Sequence, residues 1–370
     1  MPPACRSTCF SHSVMLVLAI GATQMYGQPG AELHGPVSLI QADPHHKGTL
    51  LAGTATARLF RSRDGGNTWN PLTFPAESRS TLHALVIDAN RPNVYWVAVS
   101  SEMPQFAGVF CSVDEGVTWQ SVPGLERKQV WALVFWKVDS HVIAAGTEDG
   151  VYLTRDGGQD WTLLSLAGTP WPRPVVSLTF DPADANTIYA GTPHLACKTV
   201  DGGRTWKRIP RGMQEDSDIF FLDVDVRRRS HLFAAACSGI YRSLDGGSTW
   251  LSLERSLGGP IRTYVVTRAP DNPHAVYAGT SVGLIVSQDN GATWYSLSVN
   301  AARSLAFDPD DPRRIFVATD EGVLRIEGRD TQVTLTRNGA QERRLPCAYV
   351  ARCLQPTILS PIQSLLDPRE

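Results

Sequence analysis

Apolar and polar residues alternate over residues 175–180 (Val-Val-Ser-Leu-Thr-Phe), stop at Asp181 and Pro182, and give way to an apolar run at 187–191 (Thr-Ile-Tyr-Ala-Gly). Alternation predicts a strand with one buried face, and the bounded apolar run predicts a second strand. Residues 195–199 predict a third. A Gly-rich turn then ends in Thr205-Trp206, where a fourth strand begins. Four strands in about 44 residues form one antiparallel unit with a turn at every reversal.

The turn recurs. Segments 62–69, 112–119, 154–161, 199–206, 243–250 and 287–294 share the pattern [Ser/Thr]-x-Asp-x-Gly-x-[Thr/Asp]-Trp. Their aspartates, Asp64, Asp114, Asp156, Asp201, Asp245 and Asp289, are 50, 42, 45, 44 and 44 residues apart. Each segment ends in a tryptophan: Trp69, Trp119, Trp161, Trp206, Trp250 and Trp294. A seventh unit has strands near 303–307, 315–319 and 322–326, a decayed turn at 327–330 without Trp, and a fourth strand at 331–336. A lone four-stranded unit has two faces to bury and two open edges; a closed ring of such units solves both problems. The expected fold is all-β, a seven-bladed β-propeller with four-stranded antiparallel blades spanning 37–336. How the ring is sealed is not legible, although a strand from 28–36 completing a neighbouring blade is one route.

The turn chemistry is structural. An Asp carboxylate can accept N–H groups of its own loop, the second Gly suits a positive φ, and the Ser or Thr adds a local hydroxyl. Trp can pack its large apolar face against its blade. Two other uses of such a turn are calcium binding and sugar stacking. Calcium wants roughly six to eight oxygens, and each turn offers one regular carboxylate. Asp160 replaces the usual Thr in the third turn, as a tolerated variation or a local ion site. No metal and no cofactor is expected.

Composition adds a compartment. The chain has 370 residues, 31 Gly and 25 Pro, and its net charge is −2. That balance gives no reason to expect a nucleic acid or an anionic membrane as partner. Arg6 followed by the apolar stretch 14–22 fits an export signal, and that stretch is too short to span a bilayer. The expected signal is 1–27, cleaved between Gly21 and Gln28, which makes the mature chain secreted or periplasmic with no membrane span. Cys5 and Cys9 fall in that signal. Of the remaining five cysteines, Cys347 and Cys353 are the pair best placed for a bridge; otherwise the thiols are buried or free. Residues 337–370 lack repeat signals and read as a C-terminal tail.

The six turns resemble the Asp-box, or bacterial neuraminidase, repeat. Propellers that carry it include sialidases, xyloglucan-type endoglucanases, sortilin-like receptor domains and the photosystem II stability and assembly factor. The resemblance covers roughly 37–330 and is greatest for the sortilin-like and xyloglucanase-like repeats. It implies the fold more than an activity. Sialidases carry Arg-Ile-Pro before their first box, whereas Arg208-Ile209-Pro210 follows the fourth box here and simply continues a strand. Residues 319–322 (Thr-Asp-Glu-Gly) are similar to a xyloglucanase Thr-Asp-x-Gly-Gly segment, but Val323 replaces the last Gly and Asp320 has no assignable partner aspartate. A glycosidase needs two carboxyls at a defined separation. No catalytic residue is assigned, and no Ser-His-Asp order, His-Glu-x-x-His or phosphate loop is present.

In such a ring the loop between second and third strands and the inter-blade link share one face, and the Asp turns lie on the other. The first face surrounds the channel mouth and is where a ligand is expected. Candidate binding residues there are Arg173, Arg262, Arg303, Trp131, Trp171, Glu148 and Asp320, with Phe106 as a further anchor and Asp223 expected at the start of an inner strand. Arg and Trp are typical hot-spot residues; the plainer reading is an ordinary solvated rim. The expected function is a non-catalytic binding or scaffold propeller for an extracellular or periplasmic protein or glycan. The alternative is a glycoside hydrolase acting on extracellular polysaccharide, and a third reading is an assembly factor for a membrane complex.

Overall fold

A computed structural model describes residues 33, 35–164, 174–215, 217–298, 300–329, 332–337 and 340–346. The signal segment 1–27 and both Cys347 and Cys353 lie outside the described residues. Seven antiparallel sheets follow one another along the chain, each a simple meander; six have four strands and the last has five. The first strands of the blades are Val37–Ala42, Ser80–Ile87, Val130–Phe135, Ser177–Asp181, Ile219–Val224, Thr263–Arg268 and Ala302–Phe307. Each packs beside the first strand of the next blade, and the seventh packs beside the first. This is the closed seven-bladed propeller that the repeat predicts.

Second strands are the most enclosed. Leu50–Thr54, Ile143–Thr147 and Leu232–Ala236 are buried at every position. They are sandwiched between neighbouring blades, and the recurrent Ala-Gly pair makes room. A Cβ on Gly146, Gly191 or Gly279 would stand 2.6, 2.6 and 2.5 Å from the carbonyl oxygens of Val175, Ile219 and Ala302 in the following blade. Glycine is therefore required where one blade's backbone meets the next blade's first strand.

Seven hydrophobic cores lie between blades, one per seam. Trp250 shows the pattern: it packs with Tyr189, Ile209, Ile219 and Leu232, so it joins blade 5 to blade 4. Trp69, Trp119, Trp161, Trp206 and Trp294 likewise pack against the preceding blade. The sequence expectation of a Trp folded onto its own blade is thus corrected: its ring is mortar between two. Burying 150–250 Å² of aromatic surface contributes about 4–6 kcal/mol per seam before ordering costs. The seam between blades 6 and 7, built from Leu284, Ala302, Ile315, Val317 and Leu324, has no such Trp because blade 7 lost its turn.

The turns hold themselves by a repeated network. In blade 1, Ser62 Oγ donates to Asp64 Oδ1 at 2.8 Å and accepts Gly66 N–H at 2.8 Å. Asp64 also accepts Thr68 N–H at 2.8 Å and its hydroxyl at 2.6 Å. Blades 2, 4, 5 and 6 repeat this set. In blade 3, Asp160 supplies its N–H to Asp156 but no hydroxyl. No cluster able to hold a metal ion occurs among the described residues. Burial raises each carboxyl, and the donated hydrogen bonds more than offset it, so all five partly buried turn aspartates sit below the ordinary value. Asp201 is brought to about 2 by the Thr205 hydroxyl and N–H.

Two further devices escape the repeat pattern. A cation on the third strand reaches the carbonyl of the residue after the Asp in the next blade's turn. Arg61 donates to Glu115 O at 2.7 Å, Lys198 to Gly246 O at 3.1 Å, and Arg242 to Asn290 O at 2.8 Å. Arg325 donates to Gly65 O at 3.1 Å and so closes the ring from blade 7 to blade 1. Behind this clasp, Leu33, Val37, Phe60 and Trp69 pack against Phe316, Ala318 and Val323. No strand is exchanged between the chain ends among the described residues. Separately, Asp43, Asp88, Asp181, Asp225 and Asp308 are buried at the turn after the first strand. Each caps the N–H two residues on at 2.8–2.9 Å.

The last blade continues past residue 336. Its fourth strand is Gln332–Arg337, and a fifth, Ala340–Pro346, pairs antiparallel with it inside the segment read from sequence as tail. Glu342, Arg343 and Arg344 interrupt any apolar alternation there, so the pattern carries no strand signal.

Candidate functional site at the channel mouth

Six of the seven first strands are irregular near their start. Register slips past Ser38, His83, Trp131, Phe220, Tyr264 and Arg303, one bulged residue per blade. In blade 4, Val176 stands at the matching place, its N–H bonded to Gly191 O just before the strand begins. A bulge re-aims a side chain without breaking the sheet. Here six bulges place six different side chains at the link end of the inner strands, and Val176 stands at the matching place in the seventh.

Contacts between consecutive bulges show the ring. His83 and Trp131 meet edge to face with centroids 6.3 Å apart. Phe220 and Tyr264 lie 6.4 Å apart. The Arg303 guanidinium sits 5.2 Å from the Tyr264 ring. Arg262, the last residue of the link into blade 6, stacks 4.6 Å over Phe220 and 5.8 Å from Tyr264. Phe220, Arg262, Tyr264 and Arg303 thus alternate ring and cation across blades 5 to 7. Arg303 is paired to Asp320 at 2.7 Å, and both side chains are substantially exposed. The hydrogen bond from Arg303 to Asp320 raises the arginine further above its ordinary value. Arg262 forms no ion pair among the described residues.

Blades 2 and 3 supply a second group. His83 Nε2 is 2.7 Å from Ser100 Oγ, and burial pushes its pKa down to about 4, so the ring is neutral at neutral pH. Gln129 bridges the blades by accepting Ser101 N–H and donating to Ser101 O, both at 2.9 Å. Lys128 is bound to Asp149 at 2.5 Å, which lifts it to about 12. Burial raises the Glu148 carboxyl, with Asp149 adding to it, and Glu148 Oε2 is buried without a hydrogen-bond partner.

The structure brings together Arg262, Arg303 and Asp320, and separately Trp131 and Glu148 with the residues around Gln129. Arg173 and Trp171 lie outside the described residues. Phe106 closes a 3-10 turn, Pro104–Phe106, in the long loop of blade 2. Asp223 is corrected: it is the fifth residue of Ile219–Val224, toward the turn end, and is ion-paired with Arg268. Its burial raises the carboxyl against the opposing charge of Arg268. Sequence reasoning missed His83, Phe220 and Tyr264. The findable signal was position for two of them, since Phe220 and Tyr264 follow the buried residue that opens the inner strand, as Trp131 and Arg303 do, whereas His83 is the fourth residue of Ser80–Ile87.

No protein-family model matches the sequence, and no curated protein matches it. Solved structures do. The GH74 xyloglucanase of Xanthomonas campestris aligns with a TM-score of 0.65 at 18% identity, over 81% of this chain and 53% of the enzyme. YCF48 bound to D1 peptide aligns with a TM-score of 0.60 at 18% identity, over 82% of this chain and 96% of YCF48. The extracellular domain of the hybrid two-component protein BT4673 of B. thetaiotaomicron aligns with a TM-score of 0.60 at 14% identity, over 85% and 45%. The chain spans about half the length of the GH74 enzymes it matches. At these identities the likeness shows the propeller fold alone. No helix among the described residues is long and apolar enough to cross a membrane.

Proposed function

We propose that this protein is a secreted, non-catalytic recognition propeller that binds a protein or glycan at the channel mouth. The observation that carries the reading is Arg262: a guanidinium seated over the Phe220 ring and within 5.8 Å of the Tyr264 ring, free of any ion pair among the described residues. A cation fixed by two rings keeps its charge and its fork of donors for a ligand and loses little freedom on binding. Arg303 adds a second guanidinium whose exposed pair with Asp320 can be exchanged at small cost. Trp131 and His83 extend the surface with ring faces. The reading takes residues 1–27 as the export signal, and the six turns as Asp-box repeats on the opposite, structural face. The test is retention on glycan arrays and on immobilised extracellular protein fractions. Arg262→Ala should lower retention of any bound ligand at least tenfold while thermal unfolding stays within a degree or two of the parent. Equal retention by the variant would sink this reading.

A glycoside hydrolase is the second reading, favoured by Glu148. A carboxyl raised by burial with an oxygen free of partners is what a general acid requires. Turnover of a polysaccharide that is lost in Glu148→Gln would establish it over the first.

A further inference from the structure

Arg303 meets Asp320 through Nε and one carboxylate oxygen, at 2.7 Å. Thr319 pairs with Ala302, which sets the two side chains next to each other at the mouth end of blade 7. An arginine grips a carboxylate best with two parallel N–H groups on two oxygens. This contact has a single prong, and its side chains are 40% and 45% exposed, so it is weak. Arg262 approaches the same Tyr264 ring, at 5.8 Å against 5.2 Å for Arg303, and pairs with no carboxylate among the described residues. One guanidinium is thus unclaimed and its neighbour is held loosely. The blade 3 side of the mouth asks for the reverse. Glu148 Oε2 is buried without a hydrogen-bond partner, so a ligand must bring a donor there. Thr147, just before Glu148, pairs with Val130, just before Trp131. The orphan acceptor and an aromatic face therefore share one corner of the mouth.

We propose that the mouth binds a polysaccharide containing uronic acid residues, whose carboxylates take the guanidiniums of Arg262 and Arg303, and that Asp320 is the internal stand-in they displace. This rests on the reading of the mouth as a recognition surface. A uronate-bearing chain carries carboxylates for the arginines, hydroxyl donors for Glu148 and a C–H ring surface for Trp131. An acidic peptide matches the arginines equally well, but its carboxylates only accept hydrogen bonds and leave the Glu148 oxygen unfilled. A ligand carboxylate that engages Arg303 with both oxygens exchanges a one-pronged exposed pair for a two-pronged one. Asp320 therefore sets a threshold: it competes for Arg303 and repels an incoming anion, so weak anions do not hold the site.

Titration calorimetry of the full chain should compare oligogalacturonate, the same oligomer with its carboxyls reduced to alcohols, and polyglutamate of equal charge. Oligogalacturonate should bind, and reduction should weaken it at least tenfold. Asp320→Asn should tighten oligogalacturonate binding about threefold, the scale of an exposed ion pair. Arg303→Ala should weaken it, and most of the gain from Asp320→Asn should vanish in the Arg303→Ala background. Absence of oligogalacturonate binding, equal binding of the reduced oligomer, or tighter binding of polyglutamate overturns the proposal. So does an Asp320→Asn variant with no gain. The comparison of oligomers uses the parent chain, so it stands even if a variant fails to fold. Should Arg262→Ala lower retention of some other ligand while oligogalacturonate does not bind, the recognition reading survives and the uronate proposal falls.

Discussion

The two faces of the ring are built on the same strands and follow opposite rules. At the turn face the same hydrogen bonds recur blade after blade, with Asp-to-Thr hydroxyl distances of 2.6–2.7 Å in five blades. At the mouth the corresponding residues are Ser38, His83, Trp131, Phe220, Tyr264 and Arg303 at the bulges and Val176 at the matching place in blade 4, no two alike. Repetition marks the face that holds blades together, where one solution serves each seam. Variety marks the face where each blade contributes separately to one surface. If that division is right, substitutions on the turn side cost stability and leave recognition intact, and mouth substitutions do the reverse.

The largest effect should come from the mortar. Trp250 is 5% exposed, fills the seam between blades 4 and 5, and donates its indole N–H to Ile209 O at 2.9 Å. Trp250→Ala should cost about 3–5 kcal/mol, read from urea unfolding. The seam between blades 6 and 7 shows that a ring can close without one such residue, so the variant should still fold at low temperature. A loss below about 1 kcal/mol would mean that the aliphatic core, not the Trp, carries each seam.

Gly191→Ala should follow. The new methyl would stand 2.6 Å from Ile219 O and 2.2 Å from Ser177 Oγ. The hydroxyl can rotate away, but the carbonyl belongs to the next blade's backbone, so blades 4 and 5 must part. Overpacking of this kind costs about 1–3 kcal/mol. Crystallography of the variant should show the two blades displaced. Unchanged stability would show that the seam yields more easily than its burial implies.

Much of this architecture was legible because its causes are local. A Ser or Thr, an Asp, a Gly and a Trp at fixed spacing close a turn by themselves, and six copies count blades. The Asp side chains at 43, 88, 181, 225 and 308 belong to a turn that the sequence also marked, yet their capping role needs the folded loop. Other features depend on neighbours distant in sequence. Arg61, Lys198, Arg242 and Arg325 read as ordinary solvated cations until the next blade's carbonyl is placed beside them. Phe220 and Tyr264 read as strand residues, since a bulge shifts register by one without altering composition. Trp131 and Arg303 drew notice only because Trp and Arg do so anywhere, and Trp171 and Arg173 lie outside the described residues. The fifth strand has no apolar alternation, because it is specified by pairing with Gln332–Arg337 and not by a buried face.

Acid should separate the two faces by pH, and at pH 5.5 its effect is the smallest of the three. At the mouth, burial holds His83 near 4, below its ordinary 6.5. A histidine depressed by folding is protonated more readily in the unfolded chain. Its contribution is therefore present above pH 6.5, declines as pH falls below that value, and levels off below about 4. At pH 5.5 the decline amounts to about 1 kcal/mol. His231, also lowered by burial, at the turn end of blade 5, contributes in the same direction. The turn carboxylates act later: their stabilisation is present above the ordinary 3.8 and is lost as pH falls through their lowered values, about 2 for Asp201. Urea midpoints measured from pH 7 to 4 should fall less steeply in His83→Gln than in the parent, with the limb below pH 4 unchanged. Parallel slopes between pH 7 and 4 would mean that the His83 ring is open to protons in the folded ring, and the mouth would then be wetter on the side of blades 2 and 3 than its packing against Trp131 implies.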